Sequence, residues 1–154
     1  MTVKDNSVVE SFLHIEVLVE NPREAADYMQ EVFGAVEVET DFAASVEQGF
    51  DCECVHVQAG GVVFQLIKPD DNFKPELEGW WDRGKLKQIG PFIHNVTFFV
   101  NDAKTVAKKI IEKGGSEMSK VTVPIPGGTN DVYMCDARKQ CGMVFEFAKT
   151  PPAV

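Results

Sequence analysis

The chain has 154 residues, of which 44% are hydrophobic and 25% are charged, and its formal net charge is −9. That length and composition suit one compact domain or two small modules that share a core. The negative charge argues against a general affinity for nucleic acid or for an anionic membrane, and no apolar run approaches the roughly 18 residues of a membrane-spanning helix. A polar N-terminus and four cysteines without a CxxC motif favour a cytoplasmic protein with reduced thiols.

The first predicted strand, residues 12–20, places a histidine and a glutamate within a run of alternating aliphatic residues. The alternation has the period of a β-strand, and its aliphatic members should pack against a helix: Leu13, Ile15, Val17 and Val19. His14 and Glu16 then lie on the opposite face, which we call the free face. Asn21 predicts the N-cap of the packing helix, which spans residues 22–33.

Three further strands are predicted in the first half, near residues 35–40, 50–58 and 61–68. The last of them, "GVVFQLI", carries Gln65 among apolar residues. Its neighbour "CECVHV" leaves two alternatives open: a two-residue or four-residue turn puts His56 on the face of Gln65, whereas a three-residue loop puts Glu53 there. Residues 69–90 form a linker, and residues 76–87 predict a short helix within it.

The second half repeats the pattern of the first. The stretch "FIHNVTFFVN" begins like the first strand 80 residues earlier, which matches His94 with His14. In the last strand of each half, Glu146 matches Gln65, and the spacings from histidine to this residue are 52 and 51 residues. Two apolar strands that carry polar residues in nearly the same register indicate a duplicated module.

The repeat predicts an α+β fold with two βαβββ modules in a single domain, residues 1–154. The first module spans residues 10–68 and the second spans 91–149, with a helix and three further strands at residues 103–113, 116–123, 130–136 and 142–148. Asn95 and Thr97 are exceptions to the pattern, because they fall where packing residues are expected. The free faces of the two modules are expected to close on each other as a cupped mixed sheet.

The cupped sheet would bring four polar side chains together, namely His14, Gln65, His94 and Glu146. A single polar residue in such a strand is more often a hydrogen-bonded core residue, but four in duplicated register favour a shared ligand. A buried carboxylate is costly unless it is paired or bound to a metal. Two imidazoles, an amide oxygen and a carboxylate suit Co, Ni, Mn or Zn better than Mg or Ca. The sequence therefore predicts one divalent metal ion per chain.

With these residues the chain resembles the vicinal oxygen chelate superfamily, which includes glyoxalase I, methylmalonyl-CoA epimerase, extradiol dioxygenases and bleomycin-resistance proteins. The resemblance covers residues 10–149, and it implies a glyoxalase-like fold whose metal is held by the first and last strands of each module. The order His, Gln, His, Glu, together with "EQGF" and "CDARKQCGMVFEF", is similar to the epimerase branch, because glyoxalase I usually has Glu at the position of Gln65. The resemblance also implies a homodimer.

The resemblance implies an epimerase or isomerase that removes the proton α to a carbonyl through a metal-bound enolate, on a 2-substituted malonyl-CoA or a similar acyl-CoA. With one Gln and one Glu among the ligands, a divalent site keeps a net positive charge, which favours an anionic enolate. The acid and base stay open among His56, Glu53 and Glu47. The related epimerases use a glutamate in the third strand, at the place where this chain has Cys52.

Two other functions stay open on sequence grounds. A glyoxalase I-type lactoylglutathione lyase would use the same ligands on a hemithioacetal. A bleomycin-resistance-like protein would bind a drug or metabolite without metal, although four ligand-type residues argue against it. An extradiol dioxygenase is disfavoured, because it needs a further catalytic histidine and this chain has three in all, none beyond His94.

Overall fold

The computed structural model describes residues 7–39, 53–69, 83–125 and 127–151, which contain eight strands and four helices. The elements of the first half are β1 (Val9–Leu18), α1 (Pro22–Phe33), β2 (Val36–Glu37), β3 (Glu53–Ala59) and β4 (Val62–Lys68). Those that follow are α2 (Arg83–Ile89), β5 (Phe92–Val100), α3 (Ala103–Glu112), β6 (Ser116–Ile125), β7 (Gly128–Ala137), α4 (Arg138–Cys141) and β8 (Met143–Lys149). In these ranges no helix has the length and apolar character needed to cross a bilayer.

In the first half the strands are hydrogen-bonded in the order β2-β3-β4-β1, and in the second half in the order β5-β8-β7-β6. Within each half the first strand pairs in parallel with the last, and the other pairs are antiparallel. Each half is therefore a βαβββ module, and the predicted α+β fold class is confirmed. The chain divides into two compact units: the first unit is His14–Asn95, and the second unit is Met1–Leu13 with Val96–Val154. Strands β1 and β5 each contribute residues to both units.

In the first unit, α1 has the predicted bounds and packs on the predicted face of the sheet. The side chain of Asn21 accepts a hydrogen bond from the Glu24 amide at 3.1 Å, and Gly34 ends the helix with a φ of 65°. Buried Ala26 packs in one apolar cluster with the aliphatic residues of the neighbouring strands, which include Val17, Val19, Val55, Val57 and Leu66. The predicted alternation of β1 is confirmed, and it leaves His14 and Glu16 on the free face.

The second unit repeats this arrangement with an offset of 81 residues rather than 80. The N-caps of α1 and α3, Asn21 and Asp102, are 81 residues apart. The same offset relates two pairs of residues that lie opposite each other in the parallel ladders, Glu16 with Gln65 and Thr97 with Glu146. The histidines of β1 and β5 are only 80 residues apart. One extra residue therefore lies in β5 between its histidine and α3.

The extra residue changes which side chains of β5 face the helix. Phe98 and Val100 pack against α3, although the 80-residue repeat assigned the packing positions to odd-numbered residues such as Thr97. That prediction was wrong, because alternation along a strand has a period of two and one added residue moves every later side chain to the other face. In strand register, Asn95 is therefore the equivalent of His14.

The other differences from the sequence-based prediction concern the ends of elements. The linker helix begins at Arg83 and continues to Ile89, and residues 70–82 lie outside the described residues. β6 and β7 are longer than predicted. The helix α4 has no counterpart in the prediction, because the four residues of "RKQC" are too few to show helical periodicity.

Candidate functional site

His14 lies on the free face of β1 with only 3% of its surface exposed. Its Nε2 atom is buried and has no hydrogen-bond partner among the described residues. Burial lowers the pKa of His14 to about 4, against the opposing effect of nearby Glu16. The imidazole is therefore neutral at neutral pH, and it carries a lone pair on one ring nitrogen, which is the form that binds a metal ion.

Glu16 is the centre of a buried hydrogen-bond network that joins β1 to the start of β5. The Nδ1 atom of His94 lies 2.6 Å from Oε1 of Glu16, and Nδ2 of Asn95 donates to the same oxygen at 2.9 Å. All three side chains are buried, Glu16 to the extent that 2% of its surface is exposed. A carboxylate oxygen accepts hydrogen bonds, so Nδ1 of His94 is the donor in its contact with Glu16.

A two-residue turn, Gly60-Gly61, determines which side chain of β3 faces Gln65. Both glycines have a positive φ, 58° and 82°, as the tightest hairpin turns require. The turn places His56 directly opposite Gln65 in the antiparallel ladder, which settles the register that the sequence left open. Glu53 is exposed and lies opposite Lys68, on the other face of β3 from His56.

His56 and Gln65 contact each other through their side chains. The Gln65 amide nitrogen lies 3.1 Å from Nε2 of His56 and donates to it, which leaves the carbonyl oxygen of Gln65 as an acceptor or ligand. Burial lowers the pKa of His56, and its ring centroid lies 6.1 Å from that of His14. His56 is therefore a neutral base beside two of the predicted ligands.

Glu146 belongs to the second unit, where it is buried in the middle of β8. Its ladder partners are Thr97 in β5 and Met134 in β7. Met134 thus occupies the position opposite Glu146 that His56 occupies opposite Gln65, so the second unit places no imidazole there. Two other positions of the sequence-based prediction, Glu47 and Cys52, lie outside the described residues.

Solved structures resemble this chain over nearly its whole length. The methylmalonyl-CoA epimerase of Mycobacterium tuberculosis is 15% identical with a TM-score of 0.68, and the alignment covers 97% of this chain and 94% of that one. A hypothetical protein from Bacillus halodurans is 16% identical with a TM-score of 0.66, covering 94% and 96%. A variant methylmalonyl-CoA epimerase of Streptomyces coelicolor in complex with 2-nitronate-propionyl-CoA is 16% identical with a TM-score of 0.61, covering 94% and 99%.

The chain has the glyoxalase-like fold. Its structural neighbours include methylmalonyl-CoA epimerases, so the resemblance predicted from the sequence is confirmed at the level of the fold. No protein-family model and no curated protein matches the sequence. Identities of 15–16% establish a common fold, whereas activity depends on the side chains of the site.

The side chains that this glyoxalase-like fold gathers in the first unit fit a divalent cation. A ring nitrogen of His14 and a carboxylate oxygen of Glu16 lie within 4.8 Å of each other. The buried Nε2 of His14 lacks a hydrogen-bond partner among the described residues, and such an atom is stabilised by a bound ion. His94 donates its other ring nitrogen to a carboxylate, as metal-binding histidines generally do. Mixed nitrogen and oxygen donors favour a transition metal over Mg or Ca.

Two residues of this site, Glu16 and Asn95, have no role in the sequence-based prediction. The alternation of β1 already places Glu16 on the face of His14, so its presence there was visible in the sequence. The contact of Asn95 with the site was not predicted, because the alignment of His14 with His94 assigns Asn95 to the face that packs against the helix. The charge argument for Gln65 stays a prediction, and the buried side chain of Glu16 beside His14 is a further acidic group that the argument did not include.

Proposed function

We propose that this protein is a metal-dependent epimerase or isomerase that moves the proton α to a carbonyl group, with an acyl-CoA such as a 2-substituted malonyl-CoA as substrate. The observation that carries the proposal is the buried set of three imidazoles in the first unit. His14 and His94 offer nitrogen donors, and His56 offers a base beside Gln65. Burying three imidazoles is costly unless their nitrogens are hydrogen-bonded or bound to an ion, so the set favours a shared ligand.

The proposed metal ligands are His14, Gln65, His94 and Glu146. When bound, the ion supplies Lewis-acid stabilisation of the negative charge that develops on the carbonyl side of the substrate. His14 contributes a neutral imidazole because its burial disfavours protonation. Glu146 is included because it matches Gln65 in strand register, 81 residues further along the chain. The fold similarity to an epimerase crystallised with 2-nitronate-propionyl-CoA supports an acyl-CoA as substrate.

His56 is the proposed base that removes the α-proton. Burial lowers its pKa and keeps the ring neutral, and Gln65 holds its Nε2 atom at 3.1 Å. An epimerase also needs a group that returns a proton from the opposite side of the carbon. Glu53 and Glu47 are retained as candidates for that group. The structure argues against Glu53, because its side chain is exposed on the opposite face of β3 from His56.

Isotope exchange tests the proposed function directly. Metal-loaded protein is incubated in D₂O with a racemic 2-substituted malonyl-CoA, and deuterium at the α-carbon is followed by mass spectrometry. We expect incorporation that EDTA stops and that added Co²⁺ or Mn²⁺ restores, and that is lost in His14→Ala. The absence of exchange with every acyl-CoA tested would refute the proposal.

The same preparation distinguishes the alternatives. Isomerisation of a hemithioacetal without exchange of an acyl-CoA would identify a glyoxalase-type lyase. Tight binding of an aromatic or glycopeptide ligand without metal and without either reaction would identify a sequestering protein. A homodimer and a cytoplasmic location stay predictions from the sequence, and light scattering of the purified protein tests the first of them.

A further inference from the structure

Glu16 makes a short, buried contact with the imidazole of His94. Its Oε1 atom lies 2.6 Å from Nδ1 of His94, which is at the short end of the range for a nitrogen donor and a carboxylate oxygen. The side chains of both residues are 3% exposed, so little water competes for this contact. A buried carboxylate that accepts from an imidazole fixes both the rotation of the ring and the nitrogen that carries the proton.

Asn95 in turn restrains the carboxylate. Its Nδ2 atom donates to Oε1 of Glu16 at 2.9 Å and lies 3.1 Å from Nδ1 of His94. Two consecutive residues of β5 therefore meet the same oxygen. Consecutive side chains of a regular strand point to opposite faces, so contacts from two consecutive residues to one oxygen tie this end of β5 closely to Glu16.

From this geometry we infer that Glu16 is a positioning residue, which holds His94 in the Nδ1–H tautomer and so directs the lone pair of Nε2 to the metal, while Asn95 keeps the Glu16 carboxylate in place. The inference rests on the proposed metal site and names how that site is organised. Glu16 acts through His94 and does not itself contact the substrate.

Nitrogen NMR of the metal-free protein tests the tautomer. The chain has three histidines, so a sample labelled with ¹⁵N only in histidine gives three imidazole patterns. They are assigned with His14→Gln, His56→Gln and His94→Gln. We expect His94 in wild type to carry its proton on Nδ1. A wild-type His94 with its proton on Nε2 would overturn the inference before any Glu16 variant is made.

Metal affinity tests the consequence of the tautomer. Competition with a chromogenic chelator gives the dissociation constant for Co²⁺ in wild type, Glu16→Ala and Glu16→Gln. Outer-sphere partners of metal-binding histidines contribute roughly 10–100-fold in affinity, and we expect a loss of that size in Glu16→Ala. Glu16→Gln keeps the side-chain volume and an oxygen that accepts from Nδ1, so it should retain the Nδ1–H tautomer and lose less affinity. Equal losses in both variants with the tautomer retained would make Glu16 a direct ligand and would refute a positioning role.

Glu20→Gln is the matched control. Glu20 follows β1 in the same segment of chain and is exposed, and the substitution removes the same charge. We expect its metal affinity and its histidine spectrum to equal those of wild type, and a loss equal to that of Glu16→Gln would reduce the Glu16 effect to net charge and refute the inference. The failure of this inference differs from failure of the proposed function, because the tautomer and the dissociation constant are measured without substrate.

Discussion

The buried imidazole of His14 makes the metal-free protein sensitive to acid. Its pKa in the folded state is about 4, below the 6.5 of an unperturbed histidine. Above both values the ring is neutral whether the chain is folded or unfolded, and no stability is lost. As the pH falls from the unfolded value toward the folded one, only the unfolded chain takes up the proton, so the free energy of unfolding decreases.

We therefore predict that His14→Gln flattens the acid side of the stability profile. Between pH 6.5 and pH 5, the wild-type protein in EDTA should lose roughly 1.5 kcal/mol more stability than the variant, because the slope approaches about 1.4 kcal/mol per pH unit only below about pH 6. Urea unfolding followed by tryptophan fluorescence measures both proteins across this range. Parallel profiles would show that His14 does not titrate as its burial implies.

His56 and Glu53 form a matched pair for the acid–base role. They lie three residues apart in β3, but His56 is buried opposite Gln65 whereas Glu53 is exposed. His56→Ala should reduce the rate of deuterium exchange by on the order of 100-fold or more, the usual contribution of a positioned base, without loss of bound metal. Glu53→Ala should change the rate less than His56→Ala does. The reverse order, measured by mass spectrometry of the acyl-CoA, would contradict the assignment of the base.

The face of the sheet on which each residue of the first unit lies was largely predictable, because local periodicity determines it. Alternating aliphatic residues in β1 determine that His14 and Glu16 share the free face. The contact between Glu16 and His94 was not predictable, because it joins residues 78 positions apart and depends on the path of two strands. The same is true of His56 opposite Gln65, which required the length of the intervening turn.

At the scale of elements, the turn between β3 and β4 controls the site through strand register. Gly60 and Gly61 both adopt a left-handed backbone, and neither has an atom within 4 Å of where a Cβ would stand. Space is therefore not limiting, and backbone strain alone opposes a side chain there. A single residue added to this turn would shift β3 against β4 and move His56 away from Gln65.

We predict that Gly61→Ala destabilises the protein by about 1–2 kcal/mol, the cost of a left-handed backbone for a residue with a Cβ. Gly84→Ala is the control. Gly84 lies in α2 with an ordinary φ and open space, so the substitution should stabilise the protein by roughly 0.5–1 kcal/mol. Chemical denaturation gives both values, and equal effects of the two substitutions would contradict the turn geometry.

Strand β5 shows where the prediction of elements failed. The bounds of α1 and of most strands follow from caps, glycines and apolar periodicity, each of which is a local signal. The single extra residue in β5 leaves those signals almost unchanged. In both halves the first strand contains a histidine, and an asparagine or aspartate caps the helix that follows. The pairing of Thr97 with Glu146 and the packing of Phe98 and Val100 against α3 reveal the extra residue.

At the scale of the whole molecule, a bound ion should raise stability because it binds the folded chain. The gain in free energy of unfolding increases with the logarithm of the ratio of free metal concentration to dissociation constant. It is about 2.7 kcal/mol when the free metal concentration is about a hundred times the dissociation constant. For a chain of this length, such a gain shifts the midpoint of thermal unfolding by roughly 5–10 °C. We predict a shift of that size with Co²⁺, Ni²⁺, Mn²⁺ or Zn²⁺.

Calorimetry with and without EDTA measures this shift, and Mg²⁺ serves as the comparison ion. Because the donors include imidazole nitrogens, Mg²⁺ should stabilise the protein less than the transition metals do. His94→Ala should remove most of the effect. An unfolding midpoint that no divalent ion changes would argue that the polar residues of the first unit do not form a metal site.

The extra residue of β5 also governs how the two halves of this chain are to be aligned. An internal alignment that follows the hydrogen-bonded strand partners has a constant offset of 81 residues, needs no gap and pairs His14 with Asn95. Pairing His14 with His94 in the same alignment requires a gap of one residue after the histidines. Inserting one codon into one copy of a duplicated module is thus enough to exchange an imidazole for an amide at this position without replacing any amino acid. A count of substitutions between the copies would not record such a shift.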